Sequence, residues 1–378
     1  IKGKLGDLWF WLGHQGWEYL ELGRLWQIAL FGGLIGWLVV AYRGLAPRLH
    51  RDKTWSGLTW FYTYAAIAVV GFFGFGLLYN PNTHLSIADY WRWFVVHIWV
   101  EGIFEFFAAA AGALLLTTLG LVTRASALRA AYLTAILAFS SGIIGTAHHY
   151  FWFGAPGFWM ALGAIFSSLE PVPLILLASR AWMEYKAISD AGQTFPYRWP
   201  LMFLVASAFW NFLGAGVFGF MINLPIINYY EHATYLTANH GHTALFGTYG
   251  MLAIALALFV WRGLVQPGHW NDRLLKVSFW GLNIGLAAMS FLTLLPVGIL
   301  EMVTAYSEGL WIAKSSHFFN LPIVQFLGQI RIIPDGIIIL LGAVPLALFL
   351  FTSVRRLKKP EVGDGESIFG DDEPEMEL

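Results

Sequence analysis

The chain alternates long apolar runs with short polar connections. Runs of the length a bilayer core requires, roughly 20 helical residues, fall at about 24–43, 57–79, 93–121, 129–153, 158–182, 200–223, 236–261, 275–303 and 336–353. Trp and Tyr gather near the run ends, as interfacial rings do. The connections differ in charge. The first, "YRGLAPRLHRDKTW", carries Arg43, Arg48, Arg51 and Lys53, and the next, "YNPNTHLSIADYW", carries no Lys or Arg. Arg124 and Arg129 follow, then the unbasic "FGAPGFW". Basic "SRAWMEYKAISDAGQTFPYRW", unbasic "NLPIINYYEHATY" and basic "WRGLVQPGHWNDRLLK" continue the alternation. The stretch 304–335 reads as a mostly polar connection with only Lys314 and Arg331, and the last run ends in "VRRLKKPE". Basic loops stay in the cytoplasm. The pattern therefore predicts an all-α polytopic membrane bundle of about nine spans, N-terminus outside and C-terminus inside. The expected division is an outer-face segment 1–23, a transmembrane core 24–358 and an acidic tail 359–378.

Composition sharpens this. Hydrophobic residues make up 58% of the 378 and charged residues 12%, against about a quarter charged in soluble domains, so the apolar excess faces lipid. A net charge of −1 leaves no electrostatic footprint for nucleic acid. The chain has no cysteine, which excludes disulfides, thiolate metal sites and cysteine nucleophiles. Any metal must be held by histidine and carboxylate. The opening "IKGKLGDLWF" shows neither an initiator Met nor a signal peptide, which predicts a processed chain, a subunit or part of something longer. The closing "GDGESIFGDDEPEMEL" is too acidic and too poor in apolar residues to order itself by burial.

The unusual residues fall at one depth. His97 and Glu101 lie early in the third span, His148 and His149 end the fourth, and His240 and His242 begin the seventh. At 1.5 Å rise per residue all six lie within roughly 5–20 Å of the outer boundary. Intramembrane ionisable groups are costly and mark functional sites. Any one of them has an ordinary alternative as a satisfied core histidine; six from three helices in one layer argue for a shared site. In "HIWVEGIFE", His97, Glu101 and Glu105 recur at i, i+4 and i+8 and stack on one helix face. A histidine–carboxylate pair with further histidines suits non-haem iron, while imidazole alone also suits copper or zinc. A metal-free hydrogen-bonded pair is the alternative. In "GTAHHYFW", His148 and His149 point about 100° apart on an ideal helix. They converge if the helix end loosens before "FWFGAPG", and otherwise one is a ligand and the other interfacial. In "NHGH", His240 and His242 at i and i+2 face nearly opposite ways. They cannot share one metal. Each can serve a different haem, which takes an axial histidine, with the helix standing between the two. A proton-coupled transporter with a metal-free His/Glu relay is the rival reading, and it leaves that spacing unexplained.

Together "HIWVEGIFE", "AHHYFW" and "NHGHTALFG" resemble the metal-site motifs of the haem–copper oxidase superfamily, specifically its nitric oxide reductase branch. They occur in that family's order, and the resemblance covers essentially all nine spans. It implies that His97, His148, His149 and Glu101 hold a non-haem iron. It makes His240 the proximal ligand of a high-spin haem b and His242 one axial ligand of a low-spin haem b. Glu105, and Glu170 in "SSLEPVP", match acidic residues that deliver protons. Glu18 in "HQGWEYLELGR" matches a calcium-binding carboxylate near the haem propionates, with Glu21 its neighbour. The implied reaction joins two nitric oxide molecules into nitrous oxide and water, using two electrons and two protons. Oxygen-reducing members typically place a tyrosine four residues after the first metal-binding histidine, where this chain has Glu101. A carboxylate favours iron over copper.

One departure stands out. The family supplies the second axial histidine of the low-spin haem from an early helix, and no histidine here takes that place; His14 precedes the first span and His50 lies in the basic loop. The family also has further helices ahead of "HQGWEYLELGR". The resemblance therefore implies the C-terminal part of a longer reductase, whose missing N-terminal part is an expected partner. A catalytically silent fragment serving assembly is the alternative for the chain by itself. For the electron donor, Asp335 in "RIIPDG" is expected at the outer head of the last span and matches a position near the quinol site of the fused reductases. A helix N-cap is its alternative role. Quinol is the favoured donor and cytochrome c the alternative. A homodimer, and a bacterial inner membrane with the metal layer toward the periplasm, complete the expectations.

Overall fold

The computed structural model describes residues 6, 8–13, 22–51, 55, 57–167, 169, 172–266 and 268–357, leaving out the side chains of 138–139 and 151–153. Among them, nine helices are long and apolar enough to cross a membrane: α1 Arg24–Arg51, α2 Leu58–Leu77, α3 Leu85–Thr118, α4 Arg124–Tyr150, α5 Gly157–Asp190, α6 Arg198–Asn223, α7 Tyr235–Leu264, α8 Asp272–Ser307 and α9 Pro322–Val354. Each expected span has its helix, and the chain is a multi-pass all-α membrane protein. Several helices outrun the apolar stretch that announced them. α1 continues through Pro47, so Arg43, Arg48, His50 and Arg51 are helical rather than in a loop. α3 starts on His84, whose side chain accepts from Ser86 N.

The largest difference is at α9. It begins at Pro322, at the first helical position that proline's fixed φ favours, and so absorbs Gln325, Gln329 and Arg331 from the stretch expected to be a connection. Asp335 accordingly lies inside the helical run, not at its head, and it is not an N-cap. The helix is preceded by extended Leu321 instead. The Asp335 carboxylate sits 3.5 Å from Arg331 Nε one turn back. The i, i+4 spacing explains this pairing.

Toward the basic connections, one apolar core joins α2 to α9, with Leu116, Leu174, Phe203, Leu204, Met251 and Leu275 among its buried members. Toward the other end the helices depart from regular α geometry. π-helical turns occupy Phe94–Ile103, Asn211–Phe218, His242–Gly250, Ser290–Leu294 and Ile338–Ala343, a distortion frequent at functional sites. α4 ends in a 3-10 segment, Thr146–Phe153, within which Tyr150 leaves helical conformation at φ −88°, ψ 16°. α6 and α7 approach closely at Gly214, where a Cβ would lie 2.5 Å from the Thr243 carbonyl carbon. At the basic end, Gln266 N donates to Arg356 O at 2.9 Å and ties the end of α9 to the α7–α8 connection.

Candidate metal centre

The π-helical turn of α3 carries His97 and Glu101 on one side, with His97 Nδ1 3.0 Å from Glu101 Oε2. The tightened end of α4 brings His148 and His149 together, their ring centroids 3.9 Å apart. The regular α geometry ends before the pair, and the rings meet through a tighter 3-10 winding rather than through a loosened end. His149 Nε2 lies 3.8 Å from Glu101 Oε1, and its ring stacks on Trp93 at 3.9 Å. One ligand atom from each of His97, Glu101, His148 and His149 falls within 4.8 Å of all the others. His97 and His148 are essentially fully buried, and α4 passes so close at Gly145 that a Cβ there would sit 2.9 Å from His97 Nε2.

The nitrogens of this cluster are unmet. Both ring nitrogens of His148, Nε2 of His97 and Nε2 of His149 are buried without a hydrogen-bond partner. An unsatisfied buried polar atom costs about 1–3 kcal/mol, and a set of them calls for an explanation such as a bound ion. Three imidazoles and a carboxylate fit a first-row divalent metal, iron included. The carboxylate is supported from behind: Ser167 Oγ donates to Glu101 Oε2 at 3.1 Å. One turn along α3, Glu105 is buried, and Asn211 Nδ2 of α6 donates to its Oε2 at 3.2 Å.

Two cavities flank the start of α7. The first is lined by Glu101, Glu105, His149 and His240 among others. The second lies against His242, Phe246, Glu301 and Phe319. Thr237, Gly241 and Leu245 line both, so this single helix is the wall between them. His240 Nδ1 is 2.8 Å from Gly214 O and His242 Nδ1 is 2.7 Å from Ala238 O. A carbonyl can only accept, so each Nδ1 carries its proton and each Nε2 keeps a lone pair. That is how a carbonyl sets the tautomer of a metal-ligating histidine. Each cavity is thus lined by one imidazole that could hold a haem iron through its Nε2.

Several polar groups of the site are not among the residues singled out from the sequence. Glu231, 1% exposed, lines the first cavity and accepts from Thr237 Oγ1 at 3.0 Å and Asn228 Nδ2 at 3.3 Å. Glu301 of α8, 2% exposed, lines the second and accepts from Tyr235 N at 2.8 Å. His232, in the α6–α7 connection, also lines the first cavity. Burial first, then the neighbouring charges of His149, Arg92 and Lys314, push its pKa down to about 3. Glu301 interrupts an apolar run and Asn228 and Glu231 stand at i, i+3 on one short helix, whereas Asn211 meets Glu105 only through the packing of distant helices. Asp335 lines neither cavity. Glu18, Glu21, His14 and Glu170 lie outside the described residues.

The family model described as cytochrome c and quinol oxidase polypeptide I matches residues 3–336. A curated relative, a nitric oxide reductase subunit of Stutzerimonas stutzeri, is 33% identical over 292 residues, which is 76% of this chain and 59% of that protein. Among solved structures, a haem–copper terminal oxidase dimer determined by cryo-electron microscopy superimposes with a TM-score of 0.57 at 16% identity, over 82% of this chain and 57% of that one. The chain therefore spans less than two thirds of the length of either.

Proposed function

The chain belongs to the cytochrome c and quinol oxidase polypeptide I family, and on that premise we propose that it forms the catalytic core of a nitric oxide reductase. The observation that carries this reading is the composition of the four-ligand cluster. Glu101 stands in it beside three histidines, and it lines one cavity together with His240. The name of the curated relative supports the same branch.

In this reading His97, His148, His149 and Glu101 would hold a non-haem iron, His240 a high-spin haem b and His242 a low-spin haem b. When bound, the two irons of the shared cavity supply Lewis acidity and the electrons for joining two nitric oxide molecules. The balance is two nitric oxide, two electrons and two protons to one nitrous oxide and one water. The chain's own residues do the remainder. Glu101 offsets part of the iron's charge, and Ser167 Oγ fixes which way its Oε2 points. Glu105 carries a proton at the cavity wall, its Oε2 oriented by Asn211. Confinement of both substrates in one cavity supplies part of the acceleration. Glu170 as a second proton carrier and Glu18 as a calcium ligand belong to the same reading.

Quinol is the electron donor we assign, with cytochrome c as the alternative; quinol-driven and cytochrome-driven nitric oxide consumption in the same membranes separates the two. The site faces the outside of a bacterial cytoplasmic membrane, since it lies opposite the basic connections. The deciding experiment is Glu101→Ala. Loss of the non-haem iron together with nitric oxide consumption is expected. Near-normal consumption with full iron occupancy would remove Glu101 from the site and the reading with it.

A further inference from the structure

The basic end of the bundle holds a second feature that the reductase reading does not use. A cavity opens where α5 ends, α6 begins, α7 ends and α8 begins. Arg198, Arg262, Arg273 and Lys276 line it, and among the described residues Asp272 is the one carboxylate on its wall. That carboxylate is engaged, its Oδ1 accepting from Trp199 Nε1 at 2.6 Å. Arg262 is held in place, with Nε donating to Pro196 O at 3.0 Å and its guanidinium 5.0 Å over the Trp270 ring. Arg198 lies 5.5 Å over Trp199. No ion pair among the described residues involves any of these four cations.

The cavity thus concentrates an excess of positive charge at the ends of membrane helices, beside the indole rings of Trp199 and Trp270 that mark an interfacial depth. Guanidinium groups match phosphate oxygens in a planar fork, and an ammonium adds a point charge. Basic pockets between helices on this face of a membrane protein are suited to phosphate head groups. The surroundings favour a ligand with a tail. Beyond Lys276, α8 exposes Val277, Trp280 and Ile284, and Val260 and Leu264 of α7 are exposed as well, so an acyl chain has apolar surface to run along. We propose that this cavity binds the phosphate head group of an anionic membrane phospholipid, with Arg273 and Lys276 as its principal exposed contacts.

The test uses the full chain in nanodiscs. Protein assembled with phosphatidylglycerol is exchanged into phosphatidylcholine alone, and the phosphatidylglycerol retained is measured by mass spectrometry. Wild type is expected to retain it, the pair R273Q/K276Q to retain about tenfold less or lower, given what each basic residue near a membrane surface contributes, and the pair R273K/K276R to stay near wild type. Equal retention by wild type and R273Q/K276Q overturns the proposal. So does release of the lipid by millimolar inorganic phosphate, which assigns the cavity to a soluble phosphate compound. Retention that appears only after residues 361–378 are removed also overturns it, because the acidic tail, which follows the anchored Arg356 and Leu357, is then the occupant. None of these readouts involves nitric oxide, so failure here and failure of the reductase reading are distinct.

Discussion

Along α6, the half nearer the basic connections buries Phe203, Leu204, Ala206 and Ala208 in the common core, whereas the half beyond Trp210 widens into a π turn that starts at Asn211 and passes Gly214. α3 divides the same way. Its far half carries His97, Glu101 and Glu105, and its near half runs through Ala108, Ala113, Leu115 and Leu116. In the apolar half side chains fill the space, and the buried hydroxyl of Ser207 donates to Thr248 O at 2.8 Å; the hydroxyl of Ser278 is a buried polar atom left unmet there. In the polar half ligand atoms stay unmet: Nε2 of His97, both ring nitrogens of His148 and Nε2 of His149 are buried without a hydrogen-bond partner. Lipid tails are as apolar as leucine, so packing rather than the hydrophobic effect holds helices together in a bilayer. The apolar half can therefore serve as a rigid base. It lets the other half keep unmet ligands and widened turns without collapsing on itself.

Single substitutions can break this contrast. His240→Ala and His242→Ala strike the wall between the two cavities. His240→Ala is expected to remove the high-spin haem and bring nitric oxide consumption below detection while the non-haem iron stays. His242→Ala should remove the low-spin haem and spare the high-spin signal. Optical and electron paramagnetic resonance spectra of the two variants check this, and identical spectra would dissolve the two-sided helix. Phe203→Ala strikes the base instead. It should destabilise the fold by about 3–5 kcal/mol, as large aromatic truncations in packed cores do, read as a lowered unfolding midpoint in detergent. The folded fraction should keep normal iron content; iron lost in step with stability would show that the halves are not separable.

Asn211→Leu lies on the border. It removes the donor to Glu105 but no ligand, so turnover should fall by about 10–100-fold, the usual effect of losing a supporting hydrogen bond, with iron unchanged. Unchanged turnover would take Glu105 out of proton handling. The smallest effect concerns His232. Its folded pKa of about 3 lies below the unfolded value of about 6.5, so the unfolded chain gains a proton first as pH falls. Stability is then complete above about pH 6.5 and declines toward pH 3, by about 1 kcal/mol near pH 5.5. His232→Gln should flatten that part of the stability–pH curve, and an unchanged slope would mean that His232 titrates normally.

Much of this contrast is legible in the sequence. The nine spans follow from apolar length, because a bilayer demands it, and the three histidine motifs follow from spacing. The resemblance to the nitric oxide reductase branch that those motifs carry is borne out by the family match and the curated relative. The head of α9 was misplaced because Gln325, Gln329 and Arg331 made the first turns look like a loop. With the head moved to Pro322, the capping role weighed for Asp335 disappears. The supporting groups were illegible for a different reason. Asn211 reaches Glu105 from 106 positions along the chain and Ser167 reaches Glu101 from 66, and no local period encodes such pairs. Widened helical turns have no residue signature either, although they decide where His97 and Glu101 point.

The polar half is proposed to hold iron in two chemical forms. Total iron minus haem iron, measured on the purified full chain together with its reduced-minus-oxidised spectrum, is the deciding quantity. Total iron should exceed haem iron, with a high-spin haem band, and the excess should be lost in Glu101→Ala. A folded protein whose iron is all haem iron, or one that is colourless and iron-free, would contradict it.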